Sequence, residues 1–161
     1  MSTWPPIPFP TPAAKPTRRF GTKIIMVIAL MGLIGATLLW KAGRNTYHNY
    51  QIASEAVDRF HQQLNAGDYD QIFEEATDEF RRAGSRDDLN KFFDNIRQKM
   101  GRAGKRSAAG FHVNWQNGRL WVDQVFNTQF EKGQGQEYFL WEIQQGHPHL
   151  YHYRVDSPNL R

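Results

Sequence analysis

An uncharged apolar run of seventeen residues, Ile24–Trp40, most strongly limits what this chain can fold into. As an α-helix the run would be about 25 Å long, and Lys23 and Lys41 can extend their ammonium groups to the lipid headgroups. A helix buried in a small protein core usually keeps a polar stripe, and this run has none. The run therefore predicts a membrane-spanning helix over residues 23–42, with Trp40 at the interface.

The segment before the run favours an uncleaved signal anchor over a cleaved signal peptide. Residues 1–22 are basic and hold six of the eight prolines, which is typical of a disordered tail. No small-x-small cleavage site follows the run, and the absence of cysteine excludes a lipoprotein signal. Positive charge is greater before the run than just after it. That bias predicts a cytoplasmic N-terminus and a C-terminal domain outside the cytoplasm.

The net positive charge of the chain comes from its N-terminal end. The formal net charge is +4, and the four cations up to the start of the apolar run, Lys15, Arg18, Arg19 and Lys23, account for it. The remaining 16 cations balance the 16 acids, so the domain is neutral. A neutral domain lacks the concentrated positive face that nucleic-acid binding needs, and no nucleic-acid partner is predicted. Without cysteine there is no disulfide, thiolate nucleophile or zinc–thiolate site, and no cofactor is predicted.

The first half of residues 46–161 has the period of amphipathic helices. Apolar side chains recur every three or four positions between Tyr50 and Leu64. This spacing predicts one helix that begins near Thr46 and ends at Gly67, because glycine readily adopts the conformation that closes a helix.

Two further helices are predicted from residues that cap helix ends. Asp68 with Gln71 has the spacing of a capping box, in which two side chains satisfy backbone groups at a helix start. Ser85 with Asp88 marks another helix start. Phe80 lies between the two and is predicted to anchor a connection to the core.

From Ser107 the hydrophobic period changes to two, which predicts strands. Asn117-Gly118 predicts a type I′ hairpin that places Gln116 opposite Arg119 and sets the register. The apolar face then carries the pairs Trp115–Leu120, Val113–Val122 and Phe111–Gln124, and the other face carries Asn114–Trp121 and His112–Asp123. Two more strands follow. The sequence thus predicts an α+β fold with three helices packed on a curved antiparallel sheet of about four strands.

Several of these landmarks, between Tyr47 and Leu160, recur together in one superfamily. They are FHQQLNAGDYD (Phe60–Asp70), Phe80, Ser85–Phe92, the hairpin at Asn117-Gly118, Glu137–Leu140 and YHYRVDSPNL (Tyr151–Leu160). The chain resembles the nuclear-transport-factor-two-like superfamily, whose cone-shaped fold is shared with ketosteroid isomerase and scytalone dehydratase. Its order of motifs is also similar to that of a group of bacterial membrane-anchored envelope domains. The resemblance implies a conical pocket between helix and sheet, in a superfamily of both enzymes and binding modules.

Six strand residues are candidates for lining such a pocket: Trp115, Tyr138, Trp141, Glu142, Tyr151 and Tyr153. Aromatic rings with polar tips suit a mainly apolar ligand, and they are equally typical of a protein core. Proton transfer of the ketosteroid-isomerase kind would need a carboxyl group with a raised pKa inside the pocket. Glu142 is the nearest candidate for that role.

Three polar clusters have a functional and a purely structural interpretation. Cations at Arg97, Arg102, Lys105 and Arg106 could bind an anionic partner, such as a phosphate or a lipid headgroup. Cations at a helix C-terminus are also favourable without any partner. His112 and Asp123 are interpreted as a surface pair rather than as half of a catalytic triad. The histidines at 147, 149 and 152 are interpreted as a polar hairpin tip rather than a metal site.

Two functions follow from these expectations. The first is a membrane-anchored, non-catalytic binding module outside the cytoplasm. Its partner would be an envelope protein, a second copy meeting it near Trp121, or a small apolar ligand. The alternative is an isomerase- or hydratase-like enzyme that uses the cone as its active site. A buried ionisable group with a second polar group in reach would favour the enzyme, and an interior filled with aromatic rings would favour the module.

Overall fold

The computed structural model describes the backbone of residues 20–161. In its first helix, side chains are described at positions 26, 30–37 and 40, and then continuously from position 44. The predicted tail, up to residue 19, and several side chains of the predicted membrane span therefore lie outside the described residues. The chain divides into two compact units, Met1–Lys41 and Ala42–Arg161.

Helix α1 extends over Phe20–Ala66. It includes both the predicted span and the predicted first helix of the domain, so the residues between 42 and 46 are helical as well. Gly67 ends the helix as predicted, and its φ of 77° is one that glycine adopts without strain. Within the part of the chain that the structure describes, no helix was found that is both long enough and apolar enough to cross a membrane.

Three shorter helices follow: α2 is Tyr69–Glu75, α3 is Asp78–Arg82 and α4 is Arg86–Met100. The predicted cap of α4 is confirmed, because Ser85 Oγ accepts a hydrogen bond from the Asp88 backbone N–H at 3.2 Å. The predicted capping box at α2 was wrong. The Asp68 side chain makes no capping hydrogen bond, and the Gln71 side chain instead accepts one from Gln63 on α1.

Helix α3 replaces the connection predicted around Phe80. The Thr77 side chain accepts a hydrogen bond from the Phe80 backbone N–H at 3.2 Å, which starts the helix, and Phe80 is buried in the core. The Thr77 backbone N–H donates to the Leu150 carbonyl of the last strand at 2.9 Å. The segment between α2 and α3 therefore occupies part of the open edge of the sheet.

Four antiparallel strands form one sheet in the order β1-β2-β3-β4: β1 is Ala103–Gln116, β2 Arg119–Phe130, β3 Gly133–Gln144 and β4 His147–Asp156. The predicted hairpin register is confirmed at every pair from Gln116–Arg119 to Phe111–Gln124. Asn117 and Gly118 both have positive φ, as a type I′ turn requires. Register shifts interrupt the edge strand β1 twice, once on each side of Ser107.

The inner face of the sheet packs against the helices, and the alternate residues form the outer face. Along β2, for example, Val122, Gln124 and Phe126 are buried, whereas Asp123 between them is exposed. The largest fully buried apolar side chains come from α1, α4 and the inner face: Leu64, Phe93, Ile96, Met100, Phe126, Phe130 and Phe139. A short 3-10 helix, Pro158–Leu160, follows β4. The α+β class and the four-stranded sheet are thus confirmed.

Candidate functional site

A cluster of three ionisable side chains lies buried between α1 and the inner face of the sheet. His61 Nε2 lies 2.8 Å from Glu137 Oε2, and the Tyr153 hydroxyl donates to Glu137 Oε1 at 2.7 Å. Glu137 is 0% exposed, and the other two side chains are also buried. We call His61, Glu137 and Tyr153 the buried triad.

Strand register and helix period together place the buried triad. Glu137 and Phe139 are both inner-face residues of β3, and Phe139 is directly opposite Tyr153 on β4. His61 follows Phe60, a member of the apolar stripe of α1, and the His61 ring faces the sheet. Its ring centroid lies 6.1 Å from that of Phe139.

The electrostatics of the buried triad depend on complete pairing. A carboxylate removed from water costs several kcal/mol unless partners replace its hydration, and here each Glu137 oxygen has one. Burial raises the pKa of Tyr153 well above its ordinary value of 10, and the charge of Glu137 and the hydrogen bond to it raise it further. The tyrosine therefore stays protonated and acts as the donor. When Glu137 is ionised, His61 Nε2 must carry a proton to donate to it.

Aromatic rings enclose the buried triad. The Tyr153 ring lies 4.7 Å from Phe60, 5.0 Å from Phe139 and 6.2 Å from Phe93, measured between ring centroids. Three clefts were found among the described residues, and none of these three is lined by a residue of the buried triad. The arrangement can hold a proton among three groups that aromatic rings enclose.

The smallest of the three clefts lies between α1, α2 and β4. Its volume is about 20 Å³, which is room for about one water molecule. Its lining is mainly apolar and includes Trp141, whose indole N–H is buried without a hydrogen-bond partner. At its rim Glu75 accepts hydrogen bonds from Arg59 at 3.3 Å and from Gln63 at 3.1 Å.

The structure does not bring the six predicted pocket residues together. Trp141 and Tyr153 are buried on the inner face, and Trp115 is also an inner-face residue of β1 but is 67% exposed. The remaining three, Tyr138, Glu142 and Tyr151, lie with the outer-face residues.

Glu142 does not lie where a pocket carboxyl that transfers a proton was expected. It pairs across the sheet with Trp121, an outer-face residue, and it is buried. Its Oε1 lies 3.4 Å from Arg119 Nε, and its Oε2 accepts a hydrogen bond from Gln144 at 3.1 Å. It is therefore a paired carboxylate on the outer side of the sheet rather than a free base between the sheet and the helices.

The predicted cation group is also divided. Arg106 joins β1 to α1, because its guanidinium lies 2.7 Å from Asp58, donates to the Ser54 carbonyl at 3.0 Å and stacks 4.5 Å from the Phe126 ring. These contacts make Arg106 a structural residue.

The other three cations do not share a site. Lys105 lines one open cleft of about 410 Å³ with Asn127 and Gln129, whereas Arg97 lines another of about 480 Å³ with Asp94 and Lys132. Arg102 is exposed, and its backbone N–H donates to Glu131.

The outer face carries the predicted histidine–carboxylate pair. His112 and Asp123 are cross-strand partners, as predicted. Burial raises the pKa of Asp123, and the charge of His112 opposes that rise. Among the described residues, no group of three metal-ligating side chains comes together. His149, one of the predicted tip histidines, has its Nδ1 3.0 Å from the Glu75 carbonyl oxygen.

Aromatic side chains also lie on the outer face. Trp121 is half-buried and meets Tyr151 edge-on, with ring centroids 4.9 Å apart. The Arg154 guanidinium lies 4.1 Å from the Tyr138 ring and forms an ion pair with Asp156 at 3.0 Å. We call Trp121, Tyr138 and Tyr151 the outer aromatic face.

The buried triad was not predicted, because its members are far apart in sequence and only His61 lies on a helix. One signal was available for Glu137. It alternates with Phe139 and Trp141, so the same period that buries those two rings also buries an acid, and a buried acid requires partners.

No protein-family model matches this chain, and no curated protein matches it either. The resemblance to the cone-shaped superfamily therefore stays a prediction, and the site has to be interpreted from its own geometry.

Proposed function

We propose that this chain is a single-pass membrane protein with a non-catalytic interaction module, of the cone-shaped superfamily, outside the cytoplasm. One observation carries the proposal. Aromatic rings in mutual contact occupy the space between the helices and the inner face, and the cleft beside them has a volume of only about 20 Å³. A module of this kind uses its surface to bind, because its interior is closed.

The membrane anchor is supported by the character of the run Ile24–Trp40. Its described large apolar side chains are between 51% and 71% exposed: Met26, Leu30, Met31, Leu33, Ile34 and Trp40. A helix that exposes such residues and has no charge between Lys23 and Lys41 is most stable in hydrocarbon. The excess of cations before the run supports a cytoplasmic N-terminus.

Protease protection tests the location of the module. We expect protease added to intact spheroplasts to degrade residues 46–161 and to spare an epitope tag placed at the N-terminus. Degradation of the tag with protection of the module would show the opposite orientation. Recovery of intact chain in the soluble fraction would exclude the anchor.

The outer aromatic face is the proposed binding surface, and a second copy of the chain is its proposed occupant. Charges beside it are neutralised within the chain, since Arg119 pairs with Glu142 and Arg154 with Asp156. The two neutralised pairs reduce repulsion between copies, although exposed Asp123 also lies on this face, and tethering in one membrane would raise the local concentration.

The mass of the full chain in detergent tests this dimer. We expect a dimer for the wild type and a monomer for Trp121→Glu, because a carboxylate would be buried without a partner. Gln62→Glu is the matched control, since it adds the same charge at an exposed position of α1 and should stay dimeric. Dimers of Trp121→Glu would exclude this surface. A monomeric wild type would leave a different envelope protein as the occupant.

The buried triad supports a second candidate, an isomerase- or hydratase-like enzyme. Glu137 between an imidazole and a phenol is the kind of group that transfers a proton when an interior opens. An enzyme of this kind should bind small aromatic ketones and phenols, seen as a rise in melting temperature that is lost in Tyr153→Phe. The interaction module should show no such rise in either protein.

A further inference from the structure

Three apolar residues of β1, Phe111, Val113 and Trp115, form a stripe at inner-face positions that the helices leave partly uncovered. Phe111 is 54% exposed and Trp115 is 67% exposed. Gln124, the hairpin partner of Phe111, is by contrast buried. On α1, Tyr47 is also 63% exposed. Large aromatic side chains exposed at the margin of a core usually mark a contact surface.

The position of the stripe along α1 follows from contacts between the helix and the strand. Asn65 donates to the Ala103 carbonyl at 2.8 Å, and the Tyr50 ring lies 4.8 Å from the Phe111 ring. Residue numbers along α1 therefore decrease as those along β1 increase, so β1 runs antiparallel to α1. The start of the strand lies near the end of the helix, and the hairpin end of the strand points toward the beginning of the module.

Simple geometry extends this relation to Trp115. From Phe111 to Trp115 the strand advances about 13 Å, at about 3.3 Å per residue. From Tyr50 back to Ala42 the helix covers about 12 Å, at about 1.5 Å per residue. This estimate places Trp115 at the end of the module where its chain begins, near Ala42, and Ala42 directly follows Lys41 in sequence.

We propose that the β1 stripe, together with Tyr47, is a membrane contact that inserts into the interfacial layer of the bilayer holding the anchor. This inference rests on the proposed membrane anchoring. Tryptophan and tyrosine prefer the headgroup region, because the ring is apolar and its N–H or O–H can bond to water or headgroups. Trp115 of the stripe and Tyr47 on α1 supply one ring of each kind at that end of the module.

The charge near the stripe is compatible with lipid as the occupant. Strand β1 contains no acid over Ala103–Gln116, and Arg44, three residues after Lys41, is exposed on α1. Nothing acidic in β1 would therefore repel an anionic headgroup. The polar neighbours of the stripe, such as Asn114, lie on the opposite face of the strand and stay away from lipid.

The chain contains no cysteine, so one introduced cysteine can carry one label. Full-length Trp115→Cys and Asn114→Cys are labelled with an environment-sensitive fluorophore and reconstituted into phosphatidylcholine–phosphatidylglycerol vesicles. Half of the vesicles contain nitroxide-labelled lipid as a quencher. We expect at least about twofold stronger quenching at position 115 than at 114, because the two side chains lie on opposite faces of one strand.

The outcomes separate this inference from the anchoring on which it rests. Flotation with the vesicles, with equal weak quenching at both positions, would keep the anchor and overturn the membrane contact. A blue-shifted but unquenched label at position 115 would show protein covering the stripe and would also overturn it. Failure of the chain to float would overturn the anchor itself. A variant with Tyr47→Glu, which places charge beside the stripe, should reduce quenching at position 115 and leave flotation unchanged.

Discussion

His61 with Glu137 and His112 with Asp123 are both histidine–carboxylate pairs, and they lie on opposite faces of the same sheet. The first joins a helix to a strand across 76 residues, and Glu137 in it is excluded from water. The second joins neighbouring strands of one hairpin and remains in solvent. The difference shows that the chemical identity of a histidine–carboxylate pair does not determine its contribution to stability. In the buried pair each member needs the other, because transfer out of water is unfavourable without a partner. Water can hydrogen-bond to both members of the surface pair.

Removing one carboxylate from each face should give the largest contrast. We expect Glu137→Ala to lower the free energy of unfolding by about 3–5 kcal/mol, because it leaves His61 and Tyr153 buried without their partner. Asp123→Ala should change it by less than about 0.5 kcal/mol. Denaturant unfolding of the detergent-solubilised chain measures both. Equal losses would contradict the comparison.

Replacing the whole buried pair should restore part of that loss. A double variant, His61→Leu with Glu137→Leu, removes both polar side chains together, and such exchanges of buried ion pairs in other proteins range from neutral to stabilising by about 1–4 kcal/mol. We expect it to be more stable than Glu137→Ala in the same unfolding experiment. A double variant less stable than the single one would show that the triad contributes more than pairing.

Tyr153→Phe should have an intermediate effect and a clear pH signature. Loss of the hydroxyl donor leaves Glu137 Oε1 without its partner, which costs about 1–3 kcal/mol. The pKa of Tyr153 is raised in the folded state, so above pH 10 the unfolded chain loses the proton first. Wild-type stability should therefore fall as pH rises above 10. The variant should lack that contribution, which parallel unfolding curves at alkaline pH would reveal.

Asp123→Asn should give the smallest effect. Burial raises the pKa of Asp123 above its ordinary value of 3.8, so the folded chain holds that proton longer than the unfolded one. This group therefore reduces stability as pH rises from about 3.8 through the folded pKa. At neutral pH we expect the asparagine variant to be equal or more stable by less than about 0.5 kcal/mol, since solvent screens the site. A marked loss of stability would show a buried role for the pair.

The sequence predicted what local geometry controls. The Asn117-Gly118 turn fixed six cross-strand pairs, including His112–Asp123, and the Ser85 cap was placed correctly. At α2, by contrast, the Gln71 side chain accepts a hydrogen bond from Gln63 on α1 rather than from the backbone N–H of Asp68, as the capping box predicted.

The candidate site was harder to predict, because it depends on packing between distant segments. The contact between His61 and Glu137 requires the α1 rotation and the β3 register to be known together, and neither residue has a local signal for the other. The exposure of Trp115 could not be predicted either. Its hairpin face was identified correctly, but how far α1 covers that face is a tertiary property.

The hydrogen bond from the Thr77 N–H to the Leu150 carbonyl, together with the interruptions in β1, has a consequence for the proposed membrane anchoring. Anchoring of that kind would confine domains to two dimensions, where collisions between neighbouring sheets are frequent. An uninterrupted, uncovered edge strand would let each sheet template the next into a fibre. With one border partly occupied and the other kinked and lysine-bearing, many copies can crowd together while each remains a separate folded body.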